Sequence, residues 1–152
     1  MARWEDVAVA APELAQQVRR LFEEHRHSTL ATLRKDGSPR ISGIETSFAD
    51  GELWLGMMPD SLKARDLRRD PRLALHSPAV DPPEQDPSGW AGDAKVAGRV
   101  VEVPDQEHEA TPSGRFRIEI TEVVLTRVGT PADHLVIESW HVGRGLERRE
   151  RR

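Results

Sequence analysis

The chain has 152 residues, of which 37% are hydrophobic and 32% are charged, and its net charge is −4. This length predicts one domain, and the acidic balance argues against a general nucleic-acid-binding face. Because the chain has no cysteine, thiolate catalysis, disulfides and cysteine-ligated metal sites are excluded. The N-terminal segment lacks a cationic stretch followed by a long apolar run, so we expect a cytoplasmic protein with no signal peptide and no membrane span.

The first third of the chain predicts a helix followed by a β-meander. In APELAQQVRRLFEEHR the residues Leu14, Val18, Leu21 and Phe22 recur at i, i+4, i+7 and i+8, which is a helical apolar stripe. Two Asp-Gly turns then separate three β-like runs, and such turns are typical of hairpins. The three predicted strands are Ser28–Arg34, Pro39–Phe48 and Glu52–Met57.

A short helix, Ser61–Arg69, follows and ends before Pro71, because the residue preceding a proline avoids the helical conformation. Residues 78–92 are rich in proline and glycine and predict an exposed loop inside the domain, since strand patterns resume beyond it. The later predicted strands are Arg72–Ser77, Ala94–Val103, Arg115–Gly129 and 134–142. Weak signals indicate a helical turn within Pro104–Gly114, and GRGLERRERR is interpreted as a basic tail.

Together these elements predict one mainly β domain that spans residues 1–152. Six or seven antiparallel strands would form a barrel or a β-sandwich, with an N-terminal helix and a short helix between strands three and four. A barrel is favoured because its closure leaves no open sheet edge. The strands from Asp93 onward would complete it.

The start of the short helix is the strongest candidate for a binding site. Asp60 or Ser61 can cap the helix, whose first-turn N–H groups are unpaired and lie at the positive end of the helix dipole. Lys63 adds a full charge within the same turn, so the helix start predicts a phosphate cradle. Pairing of strands two and three would bring Arg40 to the same place, and its planar guanidinium suits phosphate. An ordinary helix cap with a solvated lysine is the alternative.

Residues 28–76 contain the sequence LATLRKDGSPRISGIETSFADGELWLGMMPDSLKARDLRRDPRLAL. It resembles the pyridoxamine 5'-phosphate oxidase-like superfamily, the FMN-binding split β-barrel. The shared features are a Leu-Ala-Thr-Leu strand, a Gly-x-Pro-Arg turn, an Asp-Gly turn before Leu-Trp-Leu, and Ser-x-Lys-x-Arg-x-Leu before Asp-Pro-Arg. The resemblance implies a split-barrel homodimer with the cofactor at the subunit interface and a small-molecule substrate, without nucleic acid or membrane as partner.

The resemblance also implies which residues hold the cofactor. The phosphate would contact Arg40, Ser61 and Lys63, and the ring system would lie along strands two and three. Trp140 and Arg144 are candidates for closing the site from the partner chain, with packing in the core of the dimer as the alternative for Trp140. The full set of implied cofactor-binding positions is Arg40, Ile41, Ser42, Gly56, Met57, Met58, Ser61, Leu62, Lys63, Trp140 and Arg144. The pair Ser42-Gly43 marks either a β-bulge or a place where a flat ligand meets the backbone.

Departures from the family pattern bear on the activity. Met57 and Met58 stand where many members carry a threonine pair, and the chain has no tyrosine. The C-terminal arginine and histidine positions that grip pyridoxamine phosphate have no clear match, so oxidation of that substrate is not expected. The expected function is hydride or electron transfer between FMN and a small molecule.

Three alternatives to an FMN oxidoreductase remain open. The first is a reductase dependent on the deazaflavin coenzyme F-420, the second a non-catalytic flavin or haem carrier or sensor, and the third a barrel without a ligand. No side chain is distinguished as a general acid or base, so no catalytic residue is assigned. The six histidines lack the spacing of metal ligands, and no metal site is predicted.

Overall fold

The computed structural model describes residues 1–105, 107, 109 and 112–152. The strands in chain order are β1 (Ser28–Leu33), β2 (Pro39–Ala49), β3 (Glu52–Gly56), β4 (Arg72–His76), β5 (Asp93–Val103), β6 (Arg115–Val128), β7 (Leu135–His141) and β8 (Gly145–Arg151). The helices of the described residues are α1 (Trp4–Ala10), α2 (Pro12–Glu24) and α3 (Leu62–Arg69), and a 3-10 turn spans Pro87–Gly89. No helix of the described residues has the length and apolar character needed to cross a membrane.

The strands form one antiparallel sheet that closes on itself. The order is β3-β2-β1-β4-β5-β6, and the additional pairing of β3 with β6 closes a six-stranded barrel. This confirms the predicted barrel over the sandwich, and the predicted strands begin and end within one residue of the observed ones. β7 and β8 extend the sheet beyond β6 without joining the closed ring.

The interior of the barrel follows from strand alternation. Phe116, Ile118 and Ile120 on β6 are fully buried, as their alternation with charged residues predicts. Leu30, Leu53 and Leu55 fill the same interior from β1 and β3. At a register shift between Ala97 and Gly98 the backbones of β5 and β6 approach closely. A Cβ on Gly98 would lie 2.1 Å from the carbonyl oxygen of Glu119, so only glycine fits there.

Two elements of the structure are missing from the sequence-based prediction. The first is α1, whose Trp4 packs edge-on against Phe48 with ring centroids 4.8 Å apart. The chain before it is tied to the sheet, because Ala2 exchanges backbone hydrogen bonds with Ile120. The second is β8, which was interpreted as a basic tail and instead pairs with β7 from Leu135↔Arg151 to His141↔Gly145.

The long connection between β4 and β5 is mostly exposed from residue 79 to residue 86. It is attached at the 3-10 turn, where the Ser88 hydroxyl donates to the carbonyl oxygen of Gly129 at 2.6 Å. The helical turn predicted within Pro104–Gly114 falls partly on residues outside the described ranges.

Candidate functional site

Ser61 caps the N-terminus of α3. Its backbone is extended, and its side-chain oxygen accepts a hydrogen bond from the backbone N–H of Ala64 at 3.2 Å. The Ser61 carbonyl accepts from the N–H of Arg65 at 3.1 Å. No acceptor among the described residues contacts the N–H groups of Leu62 and Lys63. The helix therefore begins with two backbone donors directed away from its own turns.

Lys63 stands in this first turn as a partly exposed cation. Within the described part of the chain it forms neither a hydrogen bond nor an ion pair. The flanking side chains of Leu62 and Met58 are exposed, Met58 to 80%. An ammonium group beside two unpaired amides is a chemically suitable site for a phosphate oxygen.

Arg40 reaches α3, but it is held at the second turn of the helix. Its Nε donates to Oδ2 of Asp66 at 2.7 Å. The same carboxylate accepts from the hydroxyl of Thr32 at 2.8 Å and from Nη2 of Arg69 at 2.8 Å. Asp66 is only 3% exposed, whereas Arg40 is 22% exposed. Arg40 and Asp66 thus form a buried anchor between β2 and α3.

The protonation of Asp66 is set by two opposing effects. Burial acts to raise the pKa of this carboxyl, while the hydrogen bonds from Arg40 and Thr32 and the charges of Arg40 and Arg69 lower it. The net effect is a pKa below the ordinary value, so Asp66 is ionised near neutral pH. Sequence reasoning missed this residue. Its ion pair with Arg69 could have been predicted from their i,i+3 spacing on one helix. Its hydrogen bond from Arg40 could not, because 26 positions separate the two residues.

The implied ring-contact residues of β2 lie on two different faces. Arg40 and Ser42 are opposite Thr32 and Leu30, on the interior side of the sheet. Ile41 lies on the outer side and is 73% exposed. The pairing of β1 with β2 runs without a register shift, so Ser42-Gly43 is not a bulge.

Open backbone extends along the outer side of β2 and β3. Apart from the glycine itself and its two chain neighbours, no described residue has an atom within 4 Å of the position that a Cβ would occupy on Gly43 or on Gly56. Gly56 is paired with Glu45 at the end of β3. The following residue, Met57, packs against the core and donates its N–H to the carbonyl oxygen of Gly114 at 2.9 Å. This strip leaves room for a flat group to lie against the backbone.

The two C-terminal candidates occupy different environments. Trp140, on β7, is 7% exposed and belongs to the hydrophobic core of its own chain. It is paired with Val123 on the neighbouring strand β6. Its side chain thus packs within its own chain. Arg144 is exposed in the turn between β7 and β8, and its backbone N–H donates to the carbonyl oxygen of His141 at 3.1 Å.

Two of the histidines in the described ranges hydrogen-bond to groups on neighbouring elements or residues. His141 contacts Oε2 of Glu122 through Nε2 at 2.8 Å, and His76 contacts the carbonyl oxygen of Ser77 through Nδ1 at 2.6 Å. Across those ranges no group of three or more histidine and acidic side chains is placed to hold a metal ion.

A closed six-stranded antiparallel barrel, with a capped helix inserted between β3 and β4, defines the split β-barrel class of proteins. The family model described as pyridoxamine 5'-phosphate oxidase matches residues 14–136. The chain belongs to that family. No curated protein matches the chain.

Solved structures share the fold at low sequence identity. An FMN-binding, pyridoxamine 5'-phosphate oxidase-related protein from Nostoc punctiforme PCC 73102 has a TM-score of 0.64 at 10% identity, covering 100% of this chain and 98% of that one. A heme binding protein from Mycobacterium smegmatis has a TM-score of 0.56 at 15% identity, covering 91% and 87%. An F420 reductase has a TM-score of 0.50 at 20% identity, covering 69% and 94%. At these identities the likeness concerns the fold alone.

Proposed function

We propose that this protein binds FMN and transfers a hydride or electrons between the flavin and a small molecule. The observation that carries the proposal is the first turn of α3. Lys63 stands there without a carboxylate partner among the described residues, beside the unpaired N–H groups of Leu62 and of Lys63 itself. Membership of the pyridoxamine 5'-phosphate oxidase family supports the assignment.

The residues of the site fit a phosphate-bearing flat ring. Lys63 and the first-turn amides supply donors for the phosphate, and Arg40 supplies terminal guanidinium nitrogens whose orientation is fixed through Nε by Asp66. Exposed Ile41 supplies an apolar contact for the ring, and the open backbone at Gly43 and Gly56 leaves room for it. Ser61 contributes through its capping position, since its oxygen is already an acceptor for Ala64.

When bound, the flavin supplies the redox chemistry, as cofactors of this kind do. The chain's own residues bind and orient it. Lys63 and the amides of α3 hold the phosphate, and the backbone of β2 and β3 positions the ring. Because the exposed side chain of Ile41 is apolar, it excludes water from that surface.

We further propose that the active form is a homodimer. A shallow cavity of about 210 Å³ lies on the outer side of β1, β4 and β5. The small side chains of Ala31, Ala74 and Ala97 line it together with larger ones that include Lys95 and Glu122. Small residues allow two sheets to approach closely, and exposed Ile41 lies on the same side as Ala31. Sedimentation equilibrium of the full chain checks this, with twice the monomer mass of 17.1 kDa as the expected result.

A reductase dependent on coenzyme F-420 is the second candidate. It is favoured by the fold likeness to an F420 reductase, and it uses the same phosphate-binding residues. Haem carriage is the third, since a heme binding protein shares the fold. The absorption spectrum of the loaded protein separates them, with bands near ~450 nm for FMN, near ~420 nm for the deazaflavin, and a sharp Soret band for haem.

Equilibrium dialysis against each cofactor tests the site. We expect Lys63→Ala to weaken FMN binding by roughly 1.5–3 kcal/mol, the range for a charge-assisted hydrogen bond. Lys35→Ala is the matched control, because it removes the same side chain from the exposed turn between β1 and β2. An FMN dissociation constant that is equal in Lys63→Ala and wild type would refute the proposed phosphate site.

A further inference from the structure

A cavity of about 660 Å³ lies between the β1–β2 turn and one face of α3. Five of its eight lining residues are cations: Arg34, Lys35, Arg40, Arg65 and Arg69. Only two are carboxylates, Asp36 and Asp66, so the cavity carries a net charge of +3. The chain as a whole carries −4. Lys63 does not line this cavity, but Arg40 and Leu62 do, so the cavity adjoins the proposed phosphate site at the start of α3.

The helix presents its cations to the cavity through its periodicity. Leu62, Arg65, Asp66 and Arg69 occupy i, i+3, i+4 and i+7, which places them on one face. The β1–β2 turn closes the opposite side of the cavity with Arg34 and Lys35. Its shape is held by two backbone hydrogen bonds, from the Arg34 N–H to the Ser38 carbonyl at 2.8 Å and from the Gly37 N–H to the Arg34 carbonyl at 2.9 Å.

Both carboxylates of the cavity already accept hydrogen bonds from other residues of the chain. Asp66 accepts from Arg40 and Arg69, as described above. Oδ1 of Asp36 accepts from the backbone N–H of Ser38 at 2.9 Å and from its hydroxyl at 2.6 Å. These two hydrogen bonds lower the pKa of Asp36, so it too is ionised at neutral pH. Neither carboxylate forms an ion pair with Arg34, Lys35 or Arg65.

Three cations therefore remain without partners in the described part of the chain. Arg34, Lys35 and Arg65 form no side-chain hydrogen bond or ion pair there, although all three line one concavity. Arg40 adds terminal nitrogens at the base of the cavity, because only its Nε is used by Asp66. Guanidinium groups donate in a planar fork that matches phosphate and carboxylate, and an anion would relieve the repulsion among the cations.

From this geometry we infer that the cavity binds the phosphate or carboxylate groups of a small polyanion. Its volume lies within the range of small-molecule sites. A nucleic acid would require a continuous basic stripe, whereas these cations converge on one concave surface. The inference rests on Arg34, Lys35 and Arg65, which have no role in holding the proposed flavin, whereas Arg40 is shared with the proposed phosphate site.

The test is calorimetric titration of the full chain with inorganic pyrophosphate and with citrate at low salt. Two anions are used because one offers phosphate and the other carboxylate. We expect Arg65→Gln and Lys35→Gln each to weaken the better-bound anion about tenfold, the lower end for a charge-assisted hydrogen bond. Affinity falls as salt is added, since the cations are exposed. Arg20→Gln, the same change at an exposed position of α2, leaves the affinity unchanged.

Three outcomes would overturn the inference. The first is equal anion affinity in Arg65→Gln, Lys35→Gln and Arg20→Gln. The second is anion binding that is lost in Lys63→Ala and competes with FMN, because the anion then occupies the cofactor's phosphate site. The third is no binding of either anion at millimolar concentration. Lys35, Arg65 and Arg20 are exposed and Lys63 is partly exposed, and thermal melts of the variants check that the fold is retained.

Discussion

Replacing Asp66 with asparagine tests the buried anchor between β2 and α3. The carboxylate is 3% exposed and accepts from Arg40, Thr32 and Arg69 at 2.7 to 2.8 Å. Asparagine keeps the shape of the side chain but removes the charge and exchanges one acceptor oxygen for a donor NH₂ group. That NH₂ group would face either a guanidinium or the Thr32 hydroxyl. The variant therefore removes one partner of a largely buried ion pair.

The expected loss of stability follows from the exposure of the partners. Breaking a fully buried ion pair from one side costs about 3–5 kcal/mol, because an uncompensated charge remains buried. Here Arg40 is 22% exposed and Arg69 is 39% exposed. Water screens both cations in the variant, so we expect Asp66→Asn to lower the free energy of unfolding by about 2–3 kcal/mol at pH 7.

The pH dependence of this difference gives a second readout. The pKa of Asp66 in the folded protein is below its ordinary value of 3.8. When the pKa of a carboxyl is lower in the folded than in the unfolded protein, its ionised form stabilises the fold. This stabilisation is complete at pH values above the pKa of the unfolded protein, and it is lost as the pH falls through the pKa of the folded protein. The difference between wild type and Asp66→Asn should therefore be constant above about pH 5 and shrink below pH 3.8.

Urea denaturation followed by circular dichroism from pH 7 to pH 3 measures both effects. Asp81→Asn is the matched control, because Asp81 is exposed in the β4–β5 connection. A free energy of unfolding at pH 7 that is unchanged in Asp66→Asn would refute the anchor. A difference that persists undiminished at pH 3 would refute the electrostatic explanation and leave only a packing effect.

Further predictions concern the core and the surface. Phe116→Ala should lower the free energy of unfolding by about 3–5 kcal/mol, because Phe116 is 1% exposed inside the barrel, and urea denaturation measures it. Trp140→Ala should cost a similar amount, so weaker flavin binding at unchanged stability would contradict core packing. The hydrogen bond from Arg72 lowers the pKa of Asp70 to about 2. An NMR titration should show this, and Arg72→Gln should return the pKa toward 3.8.

The features predicted correctly from the sequence are local ones. The apolar stripe of α2, the alternation of Phe116, Ile118 and Ile120, and the Asp-Gly turns each lie within a few consecutive residues. The N-cap at Ser61 is equally local, since its oxygen accepts from an N–H three residues later. Backbone geometry and side-chain periodicity decide such features whatever the rest of the chain does.

The elements that were missed depend on distant partners. α1 is short, and its burial rests on contacts such as Trp4 with Phe48, 44 positions away. β8 has an alternating charged sequence that resembles a solvated tail. It becomes a strand because β7 presents an unpaired edge whose backbone groups require partners. Neither requirement can be detected in a short window of sequence.

The candidate site likewise combines features set by neighbouring residues with features that depend on distant ones. The residue types at the start of α3, with Ser61 and Lys63 in one turn, were determined by the sequence and indicate an anion-binding helix terminus. Only the tertiary structure decided that Arg40 would donate to Asp66 and that Arg65 and Arg34 would line the same cavity. The physical reason is that strand register and helix orientation, not sequence spacing, set which charged groups lie within hydrogen-bonding distance.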